Sequence, residues 1–326
     1  MINKTILITG GTGSWGGELV KQLLTRQPKE IRIFSRNESL QVQMSQAIRD
    51  TRLQFIIGDI RDKSELTLAC NGVDYVYHLA ALKHVPVCED QPDSALKTNV
   101  IGTQNVIDAA IENGVQKVIY VSTDKASSPS NTYGITKALG EKIVLHANTR
   151  SATRFACVRS GNVLGSTGSV IPLFKQQLEQ GQDLSVTDPR MTRFFLTLND
   201  AIHILLIAME NSRGGEIFVA KMPACKITDI AQVLIDHSGL RNVEIKYVGI
   251  RPGERLHETL ISESEGGRVI NLDDHYFVIM PSFSNGELAR DEFLVSTVSH
   301  RGYRSEDSMM SKEEIGQMLR KGGFLG

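Results

Sequence analysis

The chain has 326 residues, enough for a large hydrophobic core in one large domain or two closely associated ones. Its 36 Lys and Arg residues balance 37 Asp and Glu residues, so the overall charge excludes nucleic acid and anionic membranes as evident partners. The four cysteines lack metal-ligand or disulfide-scaffold spacing, and neither a secretion signal nor a membrane-length apolar run is evident, so we expect a cytoplasmic protein without a metal.

Short apolar segments alternate with helix-length segments in the first half of the chain. The predicted strands cover residues 5–9, 30–34, 54–57, 75–79, 118–121 and 154–158. Strands separated by helices favour right-handed βαβ crossovers. The pattern therefore predicts an α/β fold with a doubly wound parallel sheet, in which residues 1–165 form a Rossmann-like, dinucleotide-binding domain.

A glycine-rich turn lies between the first predicted strand and a helix over 18–24. Gly10, Gly13 and Gly16 have the spacing that allows a tight turn, close approach of the backbone to a pyrophosphate, and close packing of helix on strand. The alternative is a plain loop between strand and helix. The residues of this turn that we predict to bind a dinucleotide are Gly10, Thr12, Gly13, Ser14, Trp15 and Gly16.

The ends of the second and third strands predict which dinucleotide binds. Ser35 and Arg36 follow the second strand, where NAD enzymes commonly carry an acidic residue, and a guanidinium there can bind a 2′-phosphate. This favours NADP over NAD, although Glu38 lies nearby and Arg36 could be a solvated loop cation. After the third strand, Asp59 beside Ile60 could contact the adenine amine or serve as an ordinary turn residue.

The loop after the fourth strand adds two predicted cofactor contacts. Ala80 is small enough for the backbone to approach the cofactor, and Lys83 could reach a phosphate or a sugar. His84 is more typical of a structural histidine than of a ligand, as is His275.

Four reactive residues follow the fifth strand, whose carboxyl end is where ligands bind in such sheets. Tyr133 and Lys137 are spaced i and i+4, so they lie on one helix face, where the ammonium can lower the pKa of the phenol. This pair predicts a hydride-transfer site, and Asp124 and Lys125 would lie beside the same substrate. The alternatives are a surface helix with a chance Tyr-Lys spacing and a salt-bridged turn.

Beyond residue 165 the pattern loosens, and we expect a smaller substrate-binding lobe from 166–194 and 223–290. A helix over 199–209 and a strand over 216–219 predict that 195–222 returns to the main sheet. Residues 291–326 form a polar tail with a short amphipathic helix over 312–319.

The glycine turn and the Tyr-Lys pair resemble the extended short-chain dehydrogenase/reductase superfamily. Six further motifs are ALKHVP at 81–86, STDKA at 122–126, GNV at 161–163, MTRF at 191–194, IRPGE at 250–254 and DDH at 273–275. These motifs resemble the polysaccharide-biosynthesis branch, and most closely its inverting UDP-N-acetylglucosamine 4,6-dehydratases of pseudaminic acid synthesis. Ser160 and Trp15 depart from this family, where Tyr and Phe are frequent.

The resemblance implies specific catalytic roles. Tyr133, assisted by Lys137 and Thr123, would remove the proton of the C4 hydroxyl while C4 gives hydride to NADP. Lys125, with a depressed pKa, would then take the C5 proton. A buried, protonated Asp124 would give a proton to the departing C6 hydroxyl, and hydride would return to C6.

The resemblance also implies the binding residues and the assembly. Val163 would contact the cofactor, and the helix over 131–145 would contribute to a homo-oligomer. Either arginine among the implied binding residues, Arg193 or Arg251, could equally form a structural ion pair. For the function of the whole protein, a UDP-sugar 4-epimerase and a cofactor-binding regulator remain alternatives. The residues implied for binding the UDP-sugar are Lys83, Asn162, Arg193, Arg251 and Glu254.

Overall fold

The computed structural model describes residues 1–166, 168–282 and 302–325. The strands in these residues are β1 Thr5–Thr9, β2 Glu30–Ser35, β3 Leu53–Ile57, β4 Tyr75–His78, β5 Lys117–Val121, β6 Arg154–Arg159, β7 Asn162–Val163, β8 Leu184–Val186, β9 Thr192–Leu196, β10 Ile217–Ala220, β11 Ala224–Lys226, β12 Ile245–Tyr247, β13 Thr259–Ile261, β14 Val269–Asn271, β15 Tyr276–Ile279 and β16 Tyr303–Arg304. The helices are α1 Ser14–Leu24, α2 Glu38–Ala47, α3 Lys63–Ala69, α4 Val85–Asp90, α5 Pro92–Leu96, α6 Gly102–Glu112, α7 Asp124–Ser127, α8 Thr132–Ala147, α9 Val170–Glu179, α10 Leu198–Asn211, α11 Ile227–Ser238 and α12 Lys312–Lys321, with a π-helical turn at Lys97–Ile101 and a 3-10 helix at Glu263–Arg268.

Nine of these strands form one sheet in the order β14-β15-β10-β6-β5-β4-β1-β2-β3. Every pair from β10 to β3 is parallel, and the two strands beyond β10 are antiparallel. This confirms the predicted Rossmann-like fold. Strand order reverses between β1 and β4, which opens a crevice at the carboxyl ends of the strands where dinucleotides bind.

The central strands are apolar because helices cover both faces of the sheet. All five residues of β1 are buried, and Ile6, Leu7 and Ile8 are fully buried in the main core cluster. Each of the six predicted strands of the first half agrees with the observed bounds to within one residue. Continuous apolar runs of this length are therefore sufficient to locate strands that are buried on both faces.

The chain returns to the sheet through α10 and β10, and β10 pairs in parallel with β6. One part of the predicted lobe, however, lies elsewhere. The hairpin of β14 and β15 extends the main sheet beyond β10, because antiparallel pairing satisfies the open backbone groups of β10 while Val269 and Ile279 enter the main core. The remainder of the domain division stays a prediction.

A second, smaller core cluster lies between α9, α11 and α12, and its buried residues include Phe174, Leu234 and Leu319. The helix predicted in the tail is thus packed into the lobe, and a capping box of Ser311 and Glu314 begins it. Residues 283–290 of the predicted lobe, and 291–301 and 326 of the predicted tail, lie outside the described residues. Within the described ranges, no helix is both long and apolar enough to cross a membrane.

Candidate active site

The glycine turn approaches the loop after β4 closely. Gly10 has φ of +69°, and a Cβ there would lie 2.8 Å from the Ala80 backbone, while a Cβ at Gly16 would collide with the backbone of Gly11. At Gly13 the nearest atom to a Cβ would be the Gly10 oxygen at 3.5 Å. Gly10 and Gly16 are therefore needed for packing, whereas Gly13 faces open space beside the first turn of α1, as a bound pyrophosphate requires.

The predicted ribose-phosphate residues lie at the ends of β2 and β3. The hydroxyl of Thr12 donates to that of Ser35 over 3.3 Å, and Gln41 donates to both the hydroxyl and the carbonyl of Ser35. Arg36 is 55% exposed, and its Nη1 lies 3.9 Å from Asp59 Oδ2. The side chain of Arg36 thus projects from the end of β2 with room to meet a phosphate.

Asp59 is engaged with a second arginine as well. Arg61 donates from Nε to Asp59 Oδ2 over 2.9 Å. Burial alone would raise the pKa of Asp59, but the hydrogen bonds from Arg61 lower it below its ordinary value. Ile60 is buried in the main core. Asp59 is therefore a carboxylate shared by two guanidiniums, and contact with an adenine amine would have to compete with them.

The loop after β4 is held by a buried polar network. His78, at the end of β4, contacts the hydroxyl of Thr9 at 2.7 Å and that of Thr103 at 3.0 Å. The backbone N–H of Ala80 donates to Thr9 Oγ1 over 3.4 Å, which fixes the predicted cofactor contact beside the glycine turn. Lys83 follows on an exposed part of the loop.

Tyr133 and Lys137 lie on α8, which begins at the N-cap Asn131. The ammonium of Lys137 donates to the carbonyl of Val121 over 2.6 Å and lies 3.8 Å from the centre of the Tyr120 ring. Burial lowers the pKa of Lys137 to about 7. Burial also raises the pKa of Tyr133 to about 12, although Lys125 and a hydrogen bond from Thr123 oppose this rise.

The expectation that the Lys137 ammonium lowers the pKa of Tyr133 is therefore wrong for this structure. The cation is directed to the end of β5 rather than to the phenol, and the cations and donors that act on the phenol come from residues 123 and 125.

Asp124, Lys125 and Glu258 form a buried charge cluster beside this helix. Lys125 Nζ lies 3.0 Å from Asp124 Oδ1 and 2.8 Å from Glu258 Oε1. Asp124 also accepts a 2.7 Å hydrogen bond from the Thr123 hydroxyl, and the Asp124 and Glu258 side chains are 1% and 4% exposed. The ammonium thus bridges two buried carboxyl groups.

These neighbours overturn two expected protonation states. Burial alone would lower the pKa of Lys125, but the carboxylates of Asp124 and Glu258 raise it above its ordinary value, so the amine is charged rather than partly neutral. Burial alone would raise the pKa of Asp124, but Lys125 and hydrogen bonds with Glu258 and Thr123 hold it at about 2, so Asp124 is ionised rather than protonated.

Glu258 is the group whose proton affinity is raised, and it is not among the site residues that the sequence predicts. Burial, reinforced by the charge of Asp124, raises its pKa to about 7 in spite of Lys125 and Arg193. Asp124 and Glu258 both contact Lys125 Nζ, so their carboxyl groups lie close together and the charge of Asp124 favours a proton on Glu258. The one local signal for Glu258 is its position four residues after the motif at 250–254.

A pocket of about 270 Å³ opens onto this cluster. Four of the five residues predicted to bind the sugar nucleotide line it, and Lys83 is the exception. Tyr133 and Lys137 are not part of its wall. The functional residues that line the pocket are Asp124, Lys125, Asn162, Arg193, Arg251, Glu254 and Glu258.

The predicted substrate residues differ in how they are held. Arg193 is committed to the protein, since its Nε lies 3.1 Å from Glu258 Oε1 and its Nη1 donates to two backbone carbonyls. Asn162 donates to Glu258 Oε2 over 3.1 Å. Glu254 accepts from the backbone N–H of Arg251, so the exposed Arg251 and the half-buried Glu254 form a turn in the pocket wall. Arg193 and Asn162 therefore position Glu258, which leaves Arg251 as the arginine of the set available at the surface.

Two remaining predictions concern packing and metals. Val163 is buried in the main core at β7, so its predicted contact with the cofactor stays a prediction. The described part of the chain holds no group of three or more His, Cys, Asp or Glu side chains placed to bind a metal ion. All four cysteines are buried there as free thiols.

Comparisons with known proteins agree with this arrangement. The family described as "Polysaccharide biosynthesis protein" matches residues 6–280. A UDP-N-acetylglucosamine 4,6-dehydratase (inverting) from Campylobacter jejuni is 44% identical over 309 residues, which cover 93% of this chain and 90% of the relative. A UDP-glucose 4-epimerase from Rickettsia felis is 46% identical over 286 residues, 86% of this chain and 84% of the relative.

Among solved structures, the X-ray structure of Pen from Bacillus thuringiensis superposes with a TM-score of 0.91 at 38% sequence identity. The superposition covers 98% of this chain and 99% of that one.

Proposed function

The chain belongs to the polysaccharide biosynthesis protein family, and from this premise we propose that it is a UDP-N-acetylglucosamine 4,6-dehydratase that inverts C5. The observation that carries the proposal is the buried cluster of Asp124, Lys125 and Glu258 at the pocket. Removal of a C5 proton and of the C6 hydroxyl needs a proton acceptor and a proton donor in one place. A cation held between two carboxyl groups, one of them with a raised pKa, offers both.

The proposed cofactor is NADP. Gly10 brings the turn close to Ala80, Gly16 packs against the backbone of Gly11, and Gly13 leaves space beside the first turn of α1 for a pyrophosphate. Arg36, at the end of β2, would bind the 2′-phosphate. When bound, NADP would supply the hydride acceptor for oxidation at C4 of the sugar and the hydride donor for reduction at C6.

In the redox steps, Tyr133 would remove the proton of the C4 hydroxyl. Its pKa of about 12 must fall for this role, and the charge of an oxidised nicotinamide would act in that direction together with Lys125 and Thr123. The Lys137 amine donates to the carbonyl of Val121, and this contact would fix the position of α8, which carries Tyr133.

In the elimination, Lys125 is charged and can take a proton from C5 only after it has passed its own proton on. Both acceptors are in place, since Asp124 and Glu258 lie within 3.0 Å of its Nζ. Asp124, or the pair that it forms with Glu258, would then protonate the departing C6 oxygen. Arg251 and Glu254, at the mouth of the pocket, are proposed to contact the nucleotide.

The product would be a UDP-2-acetamido-2,6-dideoxyhexos-4-ulose made in the cytoplasm for a surface sugar of the pseudaminic acid type. We also propose a homo-oligomer. α5, the π-helical turn that follows it and α8 expose apolar side chains that a second copy would cover, namely Leu96, Ile101, Ile135 and Leu139, which are 44%, 47%, 55% and 44% exposed. Light scattering of the purified protein tests this directly.

A UDP-sugar 4-epimerase is the second candidate, and the 46% identity to the Rickettsia felis relative favours it. An epimerase leaves C5 and C6 untouched, so it has no need of the Asp124, Lys125 and Glu258 cluster. Incubation of the protein with NADP and UDP-N-acetylglucosamine in D2O separates the two activities. We expect loss of water with deuterium at C5, whereas an isomer of unchanged mass would establish the epimerase, and unchanged substrate would favour a cofactor-binding regulator.

A further inference from the structure

The proposed chemistry leaves open which of the two carboxyl groups, Asp124 or Glu258, accepts the proton of Lys125, and the position of Glu258 bears on that choice. It lies directly before β13, and its backbone N–H donates to the buried hydroxyl of Ser305 over 2.9 Å. Its carboxyl group reaches Lys125 at 2.8 Å, Arg193 at 3.1 Å and Asn162 at 3.1 Å. Every one of these partners comes from a different part of the fold, so the side chain is fixed at the pocket wall.

We propose that Glu258 is the proton carrier of the elimination, which takes the proton of Lys125 and, with Asp124, delivers it to the C6 oxygen. The inference rests on the proposed dehydratase function and adds a residue to it. It follows from the geometry, because Glu258 touches both the ammonium whose proton must leave and the carboxyl group that must receive one.

The proton balance of this scheme closes. In the active form, with Glu258 ionised, the cluster starts with one proton, which is on Lys125. The proton moves from Lys125 Nζ to the Asp124 and Glu258 pair, which leaves a neutral amine. The amine takes the C5 proton as the C5–H bond breaks, and the pair gives its proton to the C6 oxygen as the C6–O bond breaks and water leaves.

The cluster then holds one proton on Lys125 again, so this half of the reaction restores its own starting state. The later proton that C5 receives on its opposite face corresponds to the one that Tyr133 takes from the C4 hydroxyl. No additional oxidant, reductant or acid is required.

Asp124 alone would serve this purpose poorly. It is held ionised by Lys125 and by the Thr123 hydroxyl, so a proton placed on it is unstable. Burial and the charge of Asp124 raise the pKa of Glu258 to about 7, so the shared pair accepts a proton far more readily. The charged groups that face Glu258 are Asp124, Lys125 and Arg193.

The test compares E258Q with the wild type under pre-steady-state conditions. Glutamine keeps the shape and can still hydrogen-bond, but it cannot accept the proton. We expect E258Q to oxidise the substrate and to accumulate the absorbance of reduced nicotinamide, while water loss slows by about 100-fold or more. E258D, which keeps a carboxyl group, should recover part of the rate.

The pH profile supplies a signature that a merely structural role would not give. The active form has Glu258 ionised, so the wild-type rate of water loss should rise with pH through about 7. That rise should be missing in E258Q, whose residual rate should increase only in the alkaline range as Lys125 titrates. An E258Q enzyme with wild-type rate and pH profile would overturn the proposal.

E265Q is the matched control. Glu265 is a partly buried carboxylate paired with Arg159 at 2.7 Å, but it does not line the pocket. Its loss should lower stability and leave the pH profile of water loss unchanged. If the rate of water loss in E265Q also failed to rise with pH through about 7, the loss of any buried ion pair would be enough to change the profile. That result would overturn the proposal.

Infrared spectroscopy of the wild type without substrate tests the same inference. It requires neither that the variants fold nor that the substrate has been correctly identified. A protonated buried carboxyl band should disappear as the pH rises through about 7. Absence of such a band would overturn the role of Glu258. Failure of the wild type to remove water from UDP-N-acetylglucosamine, with the band present, would overturn the proposed function instead.

Discussion

Lys125 and Glu258 are 133 positions apart in the chain, yet the Lys125 ammonium lies 2.8 Å from the Glu258 carboxyl group. This contact joins the helical turn after β5 to the start of β13, and it changes the protonation of both residues. The two carboxyl groups raise the pKa of Lys125, so its amine is charged. Burial and the charge of Asp124 raise the pKa of Glu258, so Glu258 is the carboxyl group of the cluster that ionises less readily. The two residues therefore titrate as parts of one unit.

Replacement of Lys125 by methionine should separate chemistry from cofactor binding. The variant loses the group that takes the C5 proton, so water loss should fall by about 100-fold to 10,000-fold. The affinity for NADP should stay unchanged, because the cofactor is proposed to bind at the glycine turn. K142M, which removes an exposed lysine of α8, is the control and should behave like the wild type. Mass spectrometry of the product and calorimetric titration of NADP measure the two properties, and full activity of K125M would remove Lys125 from the mechanism.

Arg36 should determine the choice between NADP and NAD. R36A removes the guanidinium proposed to bind the 2′-phosphate, so NADP affinity should fall by about 10-fold to 100-fold, the loss expected for a charge-assisted hydrogen bond. NAD affinity should change by less than about 2-fold, since NAD lacks that phosphate. R61A is a matched control, because Arg61 also contacts Asp59. It should affect both cofactors alike, and an equal loss of both in R36A would exclude the proposed 2′-phosphate contact.

The sequence predicted the parts of this molecule that depend on short-range patterns. Buried parallel strands are continuous apolar runs, and a glycine turn between strand and helix has fixed spacing. Asp124 and Lys125 follow β5 directly, so their position at the carboxyl edge could be predicted from one strand. The close approach of Gly10 to Ala80 is seen only in the structure, since the residue types predicted an approach of each to the cofactor and not to each other.

The protonation states could not be predicted in this way. They depend on Glu258, which reaches the site through a lobe whose short strands have weak periodicity. When Glu258 is left out, the neighbouring cation Lys137 predicts a lowered pKa for Lys125, because like charges disfavour the charged form. The sequence alone also predicts Arg193 to bind the substrate, because its partner Glu258 is 65 positions away in the chain. The β14 and β15 hairpin pairs with β10, which is about 50 positions away, so a local pattern cannot place it in the main sheet.

The buried ion-pair network of Arg159 should be important for stability. Arg159 is 3% exposed, and its guanidinium contacts Glu141 of α8 and Glu265 of the 3-10 helix, both at 2.7 Å. E141Q leaves a buried guanidinium with one carboxylate, so the free energy of unfolding should fall by about 3 to 5 kcal/mol. R26A, which breaks the half-exposed pair of Arg26 and Glu210, should change it by about 1 kcal/mol or less. Urea unfolding followed by circular dichroism measures both, and a loss in E141Q no larger than in R26A would contradict this prediction.

The ionisation of Tyr133 should respond to the cofactor. Burial raises the pKa of Tyr133 to about 12, and a positively charged nicotinamide nearby would favour the phenolate. An ultraviolet titration with oxidised NADP should therefore show one tyrosine ionising at lower pH than it does without the cofactor. Y133F provides the control, since its spectrum should lack this transition. A wild-type titration unaffected by oxidised NADP would argue against placement of the nicotinamide beside Tyr133.

Two buried groups should give opposite slopes to the dependence of stability on pH. Glu258 has a folded pKa of about 7 against an ordinary value of 4.5, so between these values the folded protein binds more protons than the unfolded chain, and its contribution falls as pH rises. Lys137 has a folded pKa of about 7 against 10.5, so from pH 7 upward the unfolded chain binds more protons, and its contribution rises.

Each slope can be assigned by one variant. In urea unfolding at a series of pH values, stability of the wild type relative to E258Q should fall between about pH 4.5 and 7, and stability relative to K137M should rise between about pH 7 and 10. K142M, an exposed lysine on the same helix as Lys137, should show no such difference from the wild type. If the difference in free energy of unfolding between the wild type and K137M did not change with pH, Lys137 would keep an ordinary pKa in the folded protein. Burial of its ammonium against Val121 and Tyr120 would then not disfavour the charged form.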